Sequence, residues 1–102
     1  MIRHIVMWKF SDNANGKSKD ENLEYVKNAL YALFESGKID GLRSMEIGRD
    51  VSGTDMSYDM VLVTVFDDLE SLGAYKIHPD HVKISEYVKT AHTARAVIDY
   101  EF

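Results

Sequence analysis

The chain of 102 residues contains no cysteine, one proline and one tryptophan, and it has no long apolar run. Without cysteine, disulfides, thiolate nucleophiles and cysteine-ligated metals are excluded, and a reducing compartment is favoured, so we predict a cytoplasmic protein. The first eight residues lack the charged, apolar and small-residue regions of a signal peptide, which favours a strand there. No apolar stretch approaches the roughly 18 residues that a membrane span requires.

Basic residues are also scarce: 12 Lys and Arg stand against 17 Asp and Glu, which gives a net charge of −5. No basic stripe is present to displace counterions, so we expect neither nucleic-acid binding nor a polybasic membrane anchor. The length predicts a single domain over residues 1–102, large enough to bury a core.

Four segments rich in β-branched and aromatic residues predict strands. They are residues 2–10, 42–51, 58–66 and 91–102. Gly48 is expected to mark a bulge in the second strand. The polar segment 11–17, which contains a glycine, predicts a loop.

In the remaining segments, apolar residues recur at helical spacing and predict helices. Ser18 and Glu21 match a capping box at the start of the first helix, and Gly37 suits a left-handed helix stop. A second helix is predicted to begin with Asp67 as its N-cap residue, and Pro79 suits the first turn of a third helix.

This order predicts an α+β protein with a ferredoxin-like βαββαβ fold and a four-stranded antiparallel sheet. Right-handed crossovers place all helices on one face of that sheet. The other face would then expose on the order of several hundred Å² of apolar surface. It would comprise Ile5, Met7, Val61, Val63, Val65, Ala96 and Ile98. We therefore predict a homodimer that packs two such sheets face to face.

Two of the four histidines lie in the segment 75–81. A histidine titrates near neutral pH, so His81 could remove a proton from a bound carbonyl compound. Tyr75 could donate a hydrogen bond to the oxyanion that forms. The bend expected at His78 before Pro79 lets the two side chains converge. This hypothesis needs no cofactor and predicts a small apolar carbonyl ligand.

A purely structural role fits the same segment. His78 can cap the third helix, His81 can hydrogen-bond a carbonyl, and Tyr75 can belong to the core. A metal site formed by His78, Asp80 and His81 is disfavoured, because structural zinc usually has four ligands and Pro79 disturbs the spacing. We predict no metal.

Four segments carry a family resemblance. They are residues 2–10 (IRHIVMWKF), 58–66 (YDMVLVTVF) with the acidic helix start after it, 74–81 (AYKIHPDH) and 97–101 (VIDYE). Together they resemble the stress-responsive A/B barrel domain of the dimeric α+β barrel superfamily. The resemblance implies a homodimer in which two sheets form a barrel, and a pocket in each subunit between sheet and helices.

A plant polyketide cyclase of that family uses a Tyr and a His for acid–base work without a cofactor, and the matching positions are Tyr75 and His81. His4 and His78 also match histidines of that cyclase. Met60 stands where the cyclase has a further His, and His92 where it has a pocket Trp, so its substrate is not implied.

The residues predicted to bind a ligand come from three strands and the helical segments. They are His4, Val6, Trp8, Met60, Leu62, His78, Ile84, Arg95 and Val97. The structural alternative places His4 and Trp8 in the core. Arg95 either pairs with an acidic neighbour or holds a carboxylate in the pocket. His92, at a helix end, is expected at the surface.

Two functional hypotheses follow. The first is a cofactor-free acid–base enzyme of the cyclase or isomerase type, with His81 as base and Tyr75 as oxyanion donor. The second is a non-catalytic stress-response or ligand-binding protein in which the segment 75–81 is structural.

Overall fold

A computed structural model describes residues 1–102. The elements are β1 (Ile2–Phe10), β2 (Asn13–Ala14), β3 (Lys17–Ser18), α1 (Lys19–Glu35), β4 (Leu42–Arg49), β5 (Met60–Phe66), α2 (Leu69–Ile77), α3 (Pro79–Ala91) and β6 (His92–Glu101). None of the three helices is long and apolar enough to cross a membrane. The predicted ferredoxin-like α+β fold is confirmed.

The main sheet is antiparallel throughout, with strand order β4-β5-β1-β6. Side chains alternate along a strand, so each face of β1 carries every second residue. The even-numbered residues of β1 are all buried under the helices. Val6, Trp8 and Phe10 pack with Leu23, Val26 and Leu30 of α1 in the larger of two core clusters, and Ile2 belongs to the smaller one.

The opposite face of the sheet has no element packed on it, and its composition is as predicted. Ile5 pairs with Val63 on one side and Ile98 on the other. Met7 pairs in the same way with Val61 and Ala96. An apolar surface therefore runs across β5, β1 and β6, and Ile98 is 59% exposed on it.

The predicted capping box of α1 is confirmed. The Glu21 amide donates to Ser18 Oγ at 3.2 Å, and the Ser18 amide donates to Glu21 Oε1 at 3.1 Å. After the helix, Gly37 has φ +69°, the left-handed conformation expected of a helix stop.

Several boundaries differ from the predictions. Strand β4 ends at Arg49 and β5 begins at Met60, because the Asp50 amide donates to the Asp59 carbonyl oxygen and closes the loop. Residues 11–17 are not all loop: β2 and β3 form a short hairpin whose turn residues, Asn15 and Gly16, have positive φ. Strand β6 begins one residue later than predicted.

The bulge predicted at Gly48 is wrong. Gly48 pairs in register with Val61, and the irregularity in the β4–β5 ladder lies between Leu42 and Ser44. A Cβ on Gly48 would lie 3.5 Å from Val61 Cγ1, which is an ordinary contact. A side chain would therefore fit at this position, and no close approach requires glycine there.

The predicted N-cap of α2 is also wrong by one residue. Asp68 caps the helix, with its Oδ1 accepting from the Ser71 amide at 2.8 Å. Asp67 instead accepts two hydrogen bonds from Arg43 of β4, at 2.6 and 2.7 Å. The bidentate arginine pair holds Asp67 away from the helix end, so the next aspartate takes the capping role.

Candidate functional site

A cavity of about 380 Å³ lies between the helix-facing side of the sheet and helices α2 and α3. Its wall combines apolar strand and helix residues with five aromatic or histidine rings, and half of the lining is hydrophobic. The lining residues are His4, Val6, Trp8, Leu30, Leu62, Tyr75, Lys76, His81, Ile84, Ser85, Val88, Lys89, His92 and Arg95.

The junction between α2 and α3 places Tyr75 and His81 together. His78 has extended backbone geometry (φ −63°, ψ 132°), as expected of a residue before proline. Its ring Nδ1 accepts from the Asp80 amide at 3.1 Å, so His78 caps α3. Across this bend the ring centroids of Tyr75 and His81 lie 4.1 Å apart.

The hydrogen bonding of His81 leaves one ring nitrogen free. Nδ1 lies 3.2 Å from the carbonyl oxygen of Lys76. A carbonyl oxygen only accepts, so Nδ1 carries the proton and Nε2 of the neutral ring keeps its lone pair. Burial lowers the pKa of His81 below its ordinary value, and the bond to the Lys76 carbonyl opposes this. His81 is therefore a neutral base at pH 7.

The hydroxyl of Tyr75 has no hydrogen-bond partner, although the residue is 1% exposed. The indole Nε1 of Trp8 is also buried and unpartnered. Leaving such a donor unpaired costs about 1–3 kcal/mol, so each such group in a native protein calls for an explanation. Burial raises the pKa of the Tyr75 phenol, so it stays protonated and can donate.

A histidine–carboxylate pair adjoins Tyr75. His4 Nδ1 donates to Asp99 Oδ1 at 2.5 Å, across the β1–β6 ladder in which these two residues are paired. The His4 ring is 3% exposed and packs edge-on against Tyr75, with centroids 6.4 Å apart. Burial lowers the pKa of His4, and Asp99 acts in the opposite direction. Nε2 of His4 is thereby left as the free ring nitrogen.

Eight of the eleven residues predicted from the sequence line this cavity: Tyr75, His81, His4, Val6, Trp8, Leu62, Ile84 and Arg95. Three do not. Met60 is buried in the larger core cluster, His78 caps α3, and Val97 is 43% exposed on β6.

Sequence reasoning missed several lining residues of α3 and the residue that caps its C-terminus. Ser85, Val88, Lys89 and His92 follow His81 at helical spacing, and that periodicity could have identified them. The expectation that His92 lies at the surface is wrong. His92 is half-buried, lines the cavity, and its Nδ1 donates to the Val88 carbonyl oxygen at 3.0 Å.

A family model described as "Stress responsive A/B Barrel Domain" matches residues 2–102. The chain belongs to the stress-responsive A/B barrel domain family. This agrees with the resemblance carried by the strands and the segment 74–81.

Two curated relatives extend the comparison. A stress-response A/B barrel domain-containing protein of Arabidopsis thaliana is 27% identical over 84 residues, which is 82% of this chain, and the chain spans 39% of the length of that protein. Olivetolic acid cyclase of Cannabis sativa is 22% identical over 101 residues, which cover 97% of this chain and 94% of the cyclase.

Solved structures share the fold. A dimeric ferredoxin-like protein of unknown function from Thermobifida fusca superposes with a TM-score of 0.83 at 26% identity, covering 99% of this chain and 90% of that one.

Proposed function

We propose that this protein is a cofactor-independent acid–base enzyme that transfers a proton on a small, largely apolar carbonyl compound, with His81 as base and Tyr75 as oxyanion donor. The observation that carries the proposal is the contact between the two rings in one cavity. His81 offers a free ring nitrogen there, and Tyr75 offers a hydroxyl without a partner.

His81 and Tyr75 together account for every proton moved in the reaction. Nε2 of His81 removes a proton from the carbon next to the carbonyl; the electron pair of that C–H bond forms the C=C bond of the enolate, and the π pair of the carbonyl moves onto its oxygen. The Tyr75 hydroxyl donates to the resulting enolate oxygen. The protonated His81 then returns the proton to the same or another carbon, or to the oxygen formed when the enolate attacks a second carbonyl. These outcomes are isomerisation and aldol-type cyclisation.

We also infer that the working form is a homodimer. The apolar face of the sheet, formed by β5, β1 and β6, needs a cover, and a second copy of the same face is the simplest one. The relative from Thermobifida fusca is described as dimeric, which supports this proposal.

Deuterium exchange tests the acid–base proposal without knowledge of the natural substrate. Acetophenone and benzoylpropionate are incubated in D₂O with the protein, and loss of the α-proton signal is followed by NMR. We expect exchange above that of buffer with an equal concentration of imidazole. Substitution His81→Ala or Tyr75→Phe should lower the enzymatic rate roughly a hundredfold.

Matched controls are Lys83→Ala, on the exposed side of α3, and Tyr58→Phe, whose ring lies outside this cavity. Both should keep the wild-type rate. Exchange no faster than imidazole for either ketone would overturn the proposal.

A second candidate function is ligand binding without turnover. It is favoured by the way the junction is packed: Tyr75 also contacts Phe66, with ring centroids 5.1 Å apart, and His81 holds the carbonyl of Lys76. Under this alternative the ketones bind in the cavity but exchange no faster than in buffer.

A further inference from the structure

The charge of the cavity lining is opposite to that of the whole protein. The chain carries a net charge of −5, yet no Asp or Glu is among the 14 lining residues. Three lining residues are cationic, namely Lys76, Lys89 and Arg95. All three are exposed to solvent as well as lining the cavity, so they form its rim. We call them the basic rim.

Two members of the basic rim have no counter-ion. Neither Lys89 nor Arg95 has a carboxylate oxygen within 4.0 Å, whereas five other basic residues form ion pairs within 3.7 Å. Lys76 differs, because its Nζ lies 4.0 Å from Asp99 Oδ2. The uncompensated positive charge at the rim therefore resides on Lys89 and Arg95.

The position of Arg95 directs its charge into the cavity. In the β1–β6 ladder Arg95 is paired with Trp8, so the two side chains leave the same face of the sheet. Burial is the main influence on the pKa values of His4, Tyr75 and His81, and the positive charge of Arg95 acts on all three. The charge of Arg95 thus acts on three of the titratable rings that line the cavity.

The residues that line the cavity include two buried donors and several apolar side chains, but no acidic acceptor. Trp8 Nε1 and the Tyr75 hydroxyl are buried donors without partners. The apolar side chains of Val6, Leu62 and Ile84 line the same cavity. A ligand that matches this wall has an acceptor oxygen at its inner end and an apolar middle.

We propose that the cavity takes a small oxo carboxylic acid as its anion, with the carboxylate held by Arg95 and Lys89 and the apolar body and carbonyl oxygen extending toward Trp8 and Tyr75. This rests on the proposed function and names its substrate class. The planar guanidinium of Arg95 suits two parallel bonds to a carboxylate, and Lys89 adds a point charge. Because the middle of the cavity is apolar, a single terminal charge fits it better than a polyanion.

Binding is measured separately from turnover, so that failure of this inference differs from failure of the proposed function. Trp8 is the only tryptophan and lines the cavity, so its fluorescence reports occupancy. The probes are benzoylpropionate, the neutral benzoylpropionamide and inorganic phosphate. We expect the carboxylate to bind roughly tenfold more tightly than the amide, and phosphate, which lacks the apolar body, to bind more weakly than both.

Substitutions locate the effect. Arg95→Gln and Lys89→Gln should each raise the Kd of benzoylpropionate severalfold and leave that of the amide unchanged, and together they should abolish the preference. Lys83→Gln removes the same charge from the exposed side of α3 and should change neither Kd. Circular dichroism confirms that each variant is folded.

Three results would overturn the inference: equal affinity for carboxylate and amide, an unchanged preference in the double variant, or no saturable binding of benzoylpropionate below about 10 mM, the range of weak specific sites. Carboxylate-selective binding without deuterium exchange would instead sustain this inference and refute the acid–base proposal.

Discussion

The aromatic rings of Tyr75 and His81 lie 4.1 Å apart between centroids, although Tyr75 belongs to α2 and His81 to α3. In one continuous helix, residues six positions apart would point in widely different directions. The interruption at His78 and Pro79 removes this constraint, because a residue before proline leaves helical geometry and proline restarts the helix. The only proline of the chain thus interrupts the helix at the point that brings these two side chains together.

The unpartnered hydroxyl of Tyr75 leads to a prediction about stability. Tyr75→Phe removes a buried donor that bonds to nothing in the protein, so the free energy of unfolding should stay unchanged or rise by up to about 1–2 kcal/mol. Urea unfolding at fixed protein concentration measures it.

Tyr87→Phe is the matched control. The Tyr87 hydroxyl donates to Asn22 Oδ1 at 2.6 Å, and Asn22 is fully buried. Its removal should cost about 1–3 kcal/mol because an amide oxygen loses its partner. A loss at Tyr75→Phe as large as that at Tyr87→Phe would show that the Tyr75 hydroxyl has a structural role.

Protein stability should fall as the solution is acidified below about pH 6.5, the ordinary pKa of histidine. Burial lowers the pKa values of His4 and His81 in the folded state. Between these lowered values and 6.5 the unfolded chain binds more protons than the folded one, so stability is present above 6.5 and is lost as pH falls through this window. Urea midpoints across this range measure the slope.

Single variants show which histidine causes the pH dependence of stability. His81→Gln should remove the contribution of His81 to this dependence. Asp99→Asn should make the dependence stronger, because Asp99 opposes the lowering of the His4 pKa. Stability that rises on acidification, or a slope unaffected by both variants, would contradict the prediction.

Local sequence patterns were sufficient for the fold but not for every partner in the site. The capping box at Ser18 and Glu21 needs only residues three positions apart, and it is present as predicted. The pair of His4 and Asp99 depends on the register between strands at opposite ends of the chain, which no local pattern specifies.

The cap of α2 shows the same limit. Asp67 and Asp68 are adjacent and chemically identical, so their order along the chain does not decide which one caps the helix. Arg43 decides it by binding Asp67 from a neighbouring strand. By contrast, His92 was within reach of sequence reasoning, because it continues the helical spacing that begins at His81.

Two glycines should respond oppositely to alanine. Gly41 has φ +81°, and a Cβ there would lie 2.6 Å from Ser71 Cβ. Gly41→Ala should therefore destabilise the protein by more than about 1 kcal/mol, through both strain and overlap. Gly73, inside α2, has open space where a Cβ would stand. Gly73→Ala should stabilise by about 0.5–1 kcal/mol. Thermal or urea unfolding measures both, and equal effects would refute this assignment.

The uncovered face of the sheet yields the prediction on assembly. Val63 lies on β5, between Ile5 on one side and Glu46 on the other, near the middle of the apolar face. In a dimer that packs two such faces together, Val63→Lys would bury an ammonium group beside Glu46 at the interface, and desolvating that charge costs several kcal/mol. We expect the wild type to have twice the monomer mass in analytical ultracentrifugation at micromolar concentration, and the variant to have the monomer mass.

Two further variants make this result decisive. Ile98, on β6 of the same face, is 59% exposed in the single chain. Ile98→Lys should therefore dissociate the dimer without loss of the monomer fold. Val51→Lys adds the same charge at a loop position that is 97% exposed and should leave the mass unchanged. A monomeric wild type would show that this face is not a self-association surface. A dimer that survives both Val63→Lys and Ile98→Lys would place the interface elsewhere on the molecule.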